Sequence, residues 1–180
     1  MATQTETRIP TGTWRSDPTH SEVGFAIRHV VGTFRGSFGD FEVTLASDDD
    51  VARISGAVRV DSVRVDDEQL HGHLLSPDFF DAERHPRIVF ESSAVHSEGD
   101  GITVAGELTL KDTRKHIEVN GEITEPVMGP DGKRRVGIDL SDTLDRTELG
   151  LDWNTELPQG GMLLGDEVTV DVHLELVEEG

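Results

Sequence analysis

Cysteine is absent from this 180-residue chain, which excludes disulfides, thiolate metal sites and thiol nucleophiles. Tyrosine is missing as well, and only two tryptophans and seven phenylalanines supply large rings. Basic residues are scarce: 16 against 36 acidic ones leave a formal charge of −20 and a pI near 4.5. Such a surface repels phosphate backbones, so nucleic acid is not an expected partner. The acids are spread over Asp48-Asp49-Asp50, Asp66-Asp67-Glu68 and Glu178-Glu179, the pattern of a soluble surface rather than one docking tail. No run of about 18 apolar residues occurs, so no helical membrane span is expected. Met1 to Thr11 lacks the apolar stretch of a secretory signal and reads as a flexible N-terminal segment. The expected location is cytoplasmic, or periplasmic or secreted if a leader was removed.

Nucleotide and hydrolase signatures are also lacking. There is no G-x-S-x-G elbow, and the glycine-rich pieces fall between strand-like segments rather than at helix starts. Asp17, His20 and Ser21 superficially resemble a hydrolytic set, but His20 and Ser21 point to opposite faces if both lie on one strand. His71-x-His73 with His85 nearby is the densest histidine group. On a helix, residues two apart diverge by about 200°, and no cysteine completes a structural zinc site, so no metal is expected.

What the chain has in quantity is period-two alternation. Val23, Phe25, Ile27 and His29 share one strand face, and Phe34, Gly36 and Phe38 continue the pattern. Phe41, Val43 and Leu45 resume it after an irregularity at Gly39-Asp40, and Ile54, Gly56, Val58 and Val60 follow an acidic turn. Further strands run through Ile88, Phe90, Ser92 and Ala94, then Ile102 to Leu110, then Ile117 to Ile123 across a connection spanning Lys111 to Lys115. Val136, Ile138 and Leu140 come after the turn Gly129 to Gly132, and Val168 to Leu176 form the last strand. Asp67 to Leu75 breaks the alternation and predicts a short helix, with Asp66 or Asp67 as N-cap and Pro77 as a stop.

The fold class expected is all-β: an extended antiparallel barrel of about eight strands, with one short helix and an irregular excursion from Asp145 to Asp166. Residues 12–180 form one domain. Closure removes exposed strand edges, and a barrel this size either fills with side chains or holds one small ligand. Inward Gly36, Gly56, Gly106, Gly121 and Ser92 fit either outcome, because they can ease strand coiling or leave volume unfilled. Arg146, beside apolar Leu149 and Leu151, needs partners if it turns inward. A rim ion pair and a grip on a ligand's polar head both suit it.

Several ordered motifs together resemble the YceI-like family, in particular its actinobacterial members. They are His20-Ser21 before Val23 to His29, the run Gly32 to Phe38, His73-Leu74-Leu75-Ser76-Pro77-Asp78-Phe79-Phe80-Asp81 and Gly106 to Leu110. Leu149-Gly150-Leu151-Asp152-Trp153-Asn154 and Gly160 to Asp166 complete the set. The resemblance covers roughly residues 12 to 177. It implies a lipocalin-like barrel that holds a polyisoprenoid or similar amphiphile, with no catalytic residues established for the family as a whole, and it makes a homodimer plausible; no cofactor and no metal are expected. On that basis Phe25, Ile27, Phe34, Phe38, Phe90, Leu108, Leu110 and Ile138 are expected to line the tunnel. Leu74, Phe79, Phe80 and Trp153 would shape its mouth, and His29 and Arg146 would add polar groups.

Departures from the family pattern accompany the likeness. Leu70-His71 stands where many members carry an Arg-Asp pair, Leu149 where Phe is frequent, and Lys111 to Lys115 lacks the usual Gly-Val and Pro. The function expected is a non-catalytic carrier or sequestering protein for a polyisoprenoid, quinone-like or other long-chain amphiphile. Two alternatives are a barrel enzyme using His29 or His73 as acid/base, and a filled barrel serving as a stress or interaction module.

Overall fold

The computed structural model describes residues 9–180. The N-terminal segment expected to be flexible lies outside the described residues up to position 8, while Ile9 is buried in the core. Twelve strands follow: β1 (Gly12–Ser16), β2 (Glu22–His29), β3 (Gly32–Phe38), β4 (Phe41–Ser47), β5 (Ala52–Arg59), β6 (Val63–Arg64), β7 (Arg87–Glu98), β8 (Gly101–Leu110), β9 (Thr113–Ile123), β10 (Val127–Met128), β11 (Arg134–Asp145) and β12 (Leu164–Glu178). The helix α1 (Glu68–Leu75) sits between β6 and β7, and a 3₁₀ turn, Arg146–Leu149, follows β11.

These twelve pieces make eight staves. β12 pairs along one edge with β11, from Arg135↔Val177 to Asp145↔Glu167. Its other edge pairs first with β2, as in Val172↔Val23, and then with β1, as in Leu176↔Ser16. β1 and β2 are therefore one interrupted stave. So are β3 and β4, broken at Gly39-Asp40, β5 and β6, broken by a 3₁₀ turn, and β9 and β10, which pair in succession with β11. Sequence neighbours then pair in order through β7, β8, β9, β11 and β12, and the circuit closes as an up-and-down antiparallel barrel. The break between β1 and β2 is satisfied by hydroxyls: Glu175 N–H donates to Ser21 Oγ at 3.0 Å, and Val43 N–H to Ser16 Oγ at 3.0 Å.

The helix forms where the sequence places it. Asp67 caps it, its carboxylate accepting from Leu70 N–H at 2.9 Å, and Ser76 ends it just before Pro77. The connection expected over Lys111 to Lys115 is a two-residue turn, because Lys111 takes φ +55 and β9 starts at Thr113. The irregular stretch after β11 extends to Leu163, and β12 begins at Leu164.

Packing divides into two clusters. One fills the end where β1 starts and β12 finishes: Trp14, Leu45, Val104, Ile123, Val136, Ile138 and Leu176 are almost wholly buried there. The other lies under α1 and the post-β11 loop and joins Leu74, Phe79, Phe80, Leu110, Leu149 and Leu151 to Ile27 and Phe38. Side chains do not meet across the space between them, and that space positions the site.

A candidate apolar ligand cavity

Between the clusters lies a cavity of about 770 Å³, within the range of small-molecule sites. Its wall is almost entirely apolar. Phe25, Ile27, His29, Phe34, Phe38, Leu74, Phe79, Phe80, Phe90, Leu108, Leu110 and Arg146 all line it. Phe25 is the centre of an aromatic group, with ring centroids 6.1 Å from Phe34 and 5.7 Å from Phe38, and Phe38 meets Phe80 edge-on at 5.9 Å.

Two of the residues proposed from the sequence stand elsewhere. Ile138 shares a strand face with Leu140, which does line the cavity, but it is two residues nearer the filled end and fully buried. Trp153 lies behind the wall rather than in it. Its ring packs on Phe79 at 5.4 Å and on His73 at 4.6 Å, so it supports Phe79 from outside.

The inward glycines do not create the volume. Phe25 lays its ring over Gly36, within 2.5 Å of where a Cβ would be, and Phe90 does the same at Gly106 at 2.7 Å.

Four polar side chains line the wall: His29, Thr33, Asp142 and Arg146. Asp142 was not among the residues picked out from the sequence, yet the alternation signals it, since Leu140, Asp142 and Leu144 continue the inward face of Val136 and Ile138. Its Oδ1 accepts from Thr143 N–H at 2.8 Å. Arg146 is 2 % exposed and acts as a brace. Nε donates to Gly165 O at 2.8 Å, and Nη1 donates to Leu151 O at 2.5 Å and Trp153 O at 2.9 Å. Nη2 is buried without a hydrogen-bond partner, 3.9 Å from the exposed Asp166 carboxylate. The guanidinium thus ties the loop after β11 to the start of β12 through three carbonyls, and the ion pair expected at the rim is the long contact with Asp166. Leu70, where many family members carry a polar residue, and Leu149 both add to the apolar wall.

The cavity opens at the β2–β3 hairpin. Among the described lining residues, the exposed ones are five in sequence, His29 to Thr33. A residue that both faces the interior and is open to solvent marks the mouth, and Val31 is 98 % exposed.

The histidines proposed as acid/base groups are not buried against carboxylates inside the cavity. His29 is exposed at the mouth. His73 lies outside the lining, hydrogen-bonded to Asp78 at 3.1 Å. His85 approaches Asp112 at 3.9 Å, apart from His73, so His71, His73 and His85 do not converge on one ion.

A separate cluster brings Asp17, His20 and Glu175 together at the β1–β2 break, with ligand-type atoms within 4.8 Å of one another. Arg135 already occupies it, with Nη1 2.9 Å from Asp17 Oδ2 and 3.0 Å from Glu175 Oε2. Hydrogen bonds from His20 and Arg135 hold the Asp17 carboxyl down to about 2, and Asp17 in turn raises the His20 pKa. Ser21 Oγ is engaged with the Glu175 backbone, so no hydrolytic triad forms.

A closed eight-stave antiparallel barrel around one apolar, single-mouthed chamber defines the class: a lipocalin-like barrel. The YceI-like domain profile matches residues 14–176, and the chain belongs to that family. A UPF0312 protein of Staphylococcus aureus is 29% identical over 167 residues, covering 88% of this chain and 94% of that one. Burkholderia cenocepacia BcnA superposes with a TM-score of 0.76 at 21% identity, over 91% of this chain and 99% of that chain. A polyisoprenoid binding domain from Saccharophagus degradans gives 0.72 at 11% identity, over 94% of this chain and 100% of that chain.

Proposed function

We propose that the protein is a non-catalytic carrier or sequestering protein that holds the tail of a polyisoprenoid, quinone-like or other long-chain amphiphile inside the barrel. The observation that carries this reading is the 770 Å³ apolar chamber with its single exposed stretch of wall. Burying a methylene releases about 0.8 kcal/mol, so a tail of about ten carbons contributes on the order of 8 kcal/mol before the cost of immobilising it. No dense polar recognition is required for that. The kinship with a polyisoprenoid binding domain of the same fold supports the choice of ligand class.

The chamber disfavours the filled-barrel reading, and the exposure of His29 and the outward position of His73 leave the enzyme reading without its enclosed histidine. The test is organic extraction of protein purified from its native host, followed by mass spectrometry. One apolar molecule per chain is expected. Repeated extracts containing no such molecule would overturn the proposal.

A further inference from the structure

The β2–β3 hairpin joins its strands through Val30 and Val31, with His29 paired to Gly32 across the turn. Two-residue hairpins favour Asn or Gly where φ is positive, and a β-branched residue there is strained. Val30 nevertheless takes φ +50. Its neighbour Val31 is 98 % exposed, and Met162, 46 % exposed, adjoins Leu163, whose carbonyl accepts from Val30 N–H at 2.9 Å. Val30 and Val31 line the cavity mouth described above and continue its wall outward into solvent, with Met162 exposed nearby.

Charge singles out the same place. In a chain with 36 acids, residues 23–39 contain no carboxylate but do contain Arg28 and Arg35. Asp166 and Glu167 share an outer groove with these two arginines, and Glu156, bridged to Met162, adds one acid, so the tip carries little net charge in a strongly acidic chain. At about 0.15 M ionic strength the Debye length is about 8 Å, so the acids at the far end of the barrel are screened from a surface touching this tip.

We infer that the β2–β3 tip is a docking lip for a zwitterionic lipid bilayer, with Val30 and Val31 entering the interfacial region so that an amphiphile passes between membrane and cavity without crossing water. This rests on the carrier reading for its purpose, but the lip can be measured without any cargo. A strained, exposed, apolar turn that ends at the opening of an apolar chamber suits immersion better than contact with water.

The experiment uses phosphatidylcholine vesicles. Unloaded protein should float with them, and Val31→Asp should weaken that association on the order of tenfold. Val127→Asp, a 65 % exposed valine at the filled end, should not change it. In stopped flow, a pyrene-labelled fatty alcohol loaded into the protein should leave at a rate that rises with vesicle concentration, and Val31→Asp should flatten that dependence. Because Val31 also lines the mouth, loading of each variant is measured first in solution, and transfer rates are compared per molecule of bound probe. The lip is refuted if wild type does not float, if the transfer rate ignores vesicle concentration, or if Val127→Asp impairs binding as much as Val31→Asp. Tighter binding on adding phosphatidylglycerol would overturn the zwitterionic assignment. Protein that floats through Val31 but never takes up the probe would keep the lip and sink the carrier reading. The converse result would keep the carrier and sink the lip.

Discussion

Gly121→Ala probes a short seam of the barrel. β9 and β11 pair over four residues, from Ile138↔Ile123 to Ser141↔Asn120, and Gly121 faces Leu140 in the middle. Beyond that point the strands part, and the 3₁₀ turn bridges the gap through the ion pair Lys115–Glu148. A Cβ on Gly121 would lie 1.7 Å from Asp139 O, 2.7 Å from its carbonyl carbon and 2.9 Å from Leu140 Cα, all backbone atoms. Ordinary contact starts near 3.4 Å, so the strands must separate by about 3.4 − 1.7 = 1.7 Å. That displacement breaks the short ladder. With each hydrogen bond contributing a net 0.5–1.5 kcal/mol, the expected loss is about 2–5 kcal/mol. Urea unfolding followed by tryptophan fluorescence measures it, since Trp14 is wholly buried at that end. Gly72→Ala is the opposite control. It lies inside α1 with nothing within 4 Å of the added methyl, so it should stabilise by about 0.5–1 kcal/mol. A Gly121→Ala protein within about 0.5 kcal/mol of wild type would show that this close approach does not hold the barrel shut.

Arg146→Met removes three hydrogen bonds to carbonyls and should cost about 2–4 kcal/mol, with faster proteolysis between residues 150 and 163; Arg146→Lys should not rescue it, because one ammonium cannot span the three acceptors. The depressed Asp17 carboxyl adds stability that is complete above its ordinary pKa of 3.8 and lost as pH falls toward about 2. Asp17→Asn should therefore flatten the decline of Tm between about pH 4 and pH 2, and an unchanged acid limb would refute the assignment. His20 acts in the other direction: its raised pKa contributes below the ordinary histidine value and fades as pH rises through the raised one. Val170→Trp, on the cavity wall between Phe25 and Asp142, should cut the probe taken up per chain while leaving the fold intact by circular dichroism; full loading would place the tail elsewhere.

Much of the architecture was legible because a strand shows its two faces to the reader of a sequence. Period two marked Phe25, Ile27, Phe34, Phe38, Phe90, Leu108 and Leu110 as inward, and all seven line the chamber. Asp67 and Pro77 bracketed the helix through capping chemistry that depends on neighbours alone. What alternation lacks is depth along the barrel axis. Ile138 and Leu140 look alike in sequence, yet one sits in the filled end and the other on the open wall, since strand stagger decides the level each reaches. Asp142 was within reach of the alternation, standing between inward Leu140 and Leu144, and the pairing of β11 with β12 sets only its level on the wall. Trp153 and the brace at Arg146 belong to a stretch without periodicity, where only folding shows which carbonyls meet the guanidinium. Local chemistry in the sequence thus determined the strands, the helix and the apolar side of each stave. The chamber, its mouth at Val30-Val31 and the hydrogen-bond partners of Arg146 were decided by tertiary structure, because they depend on register and closure between residues far apart in the chain.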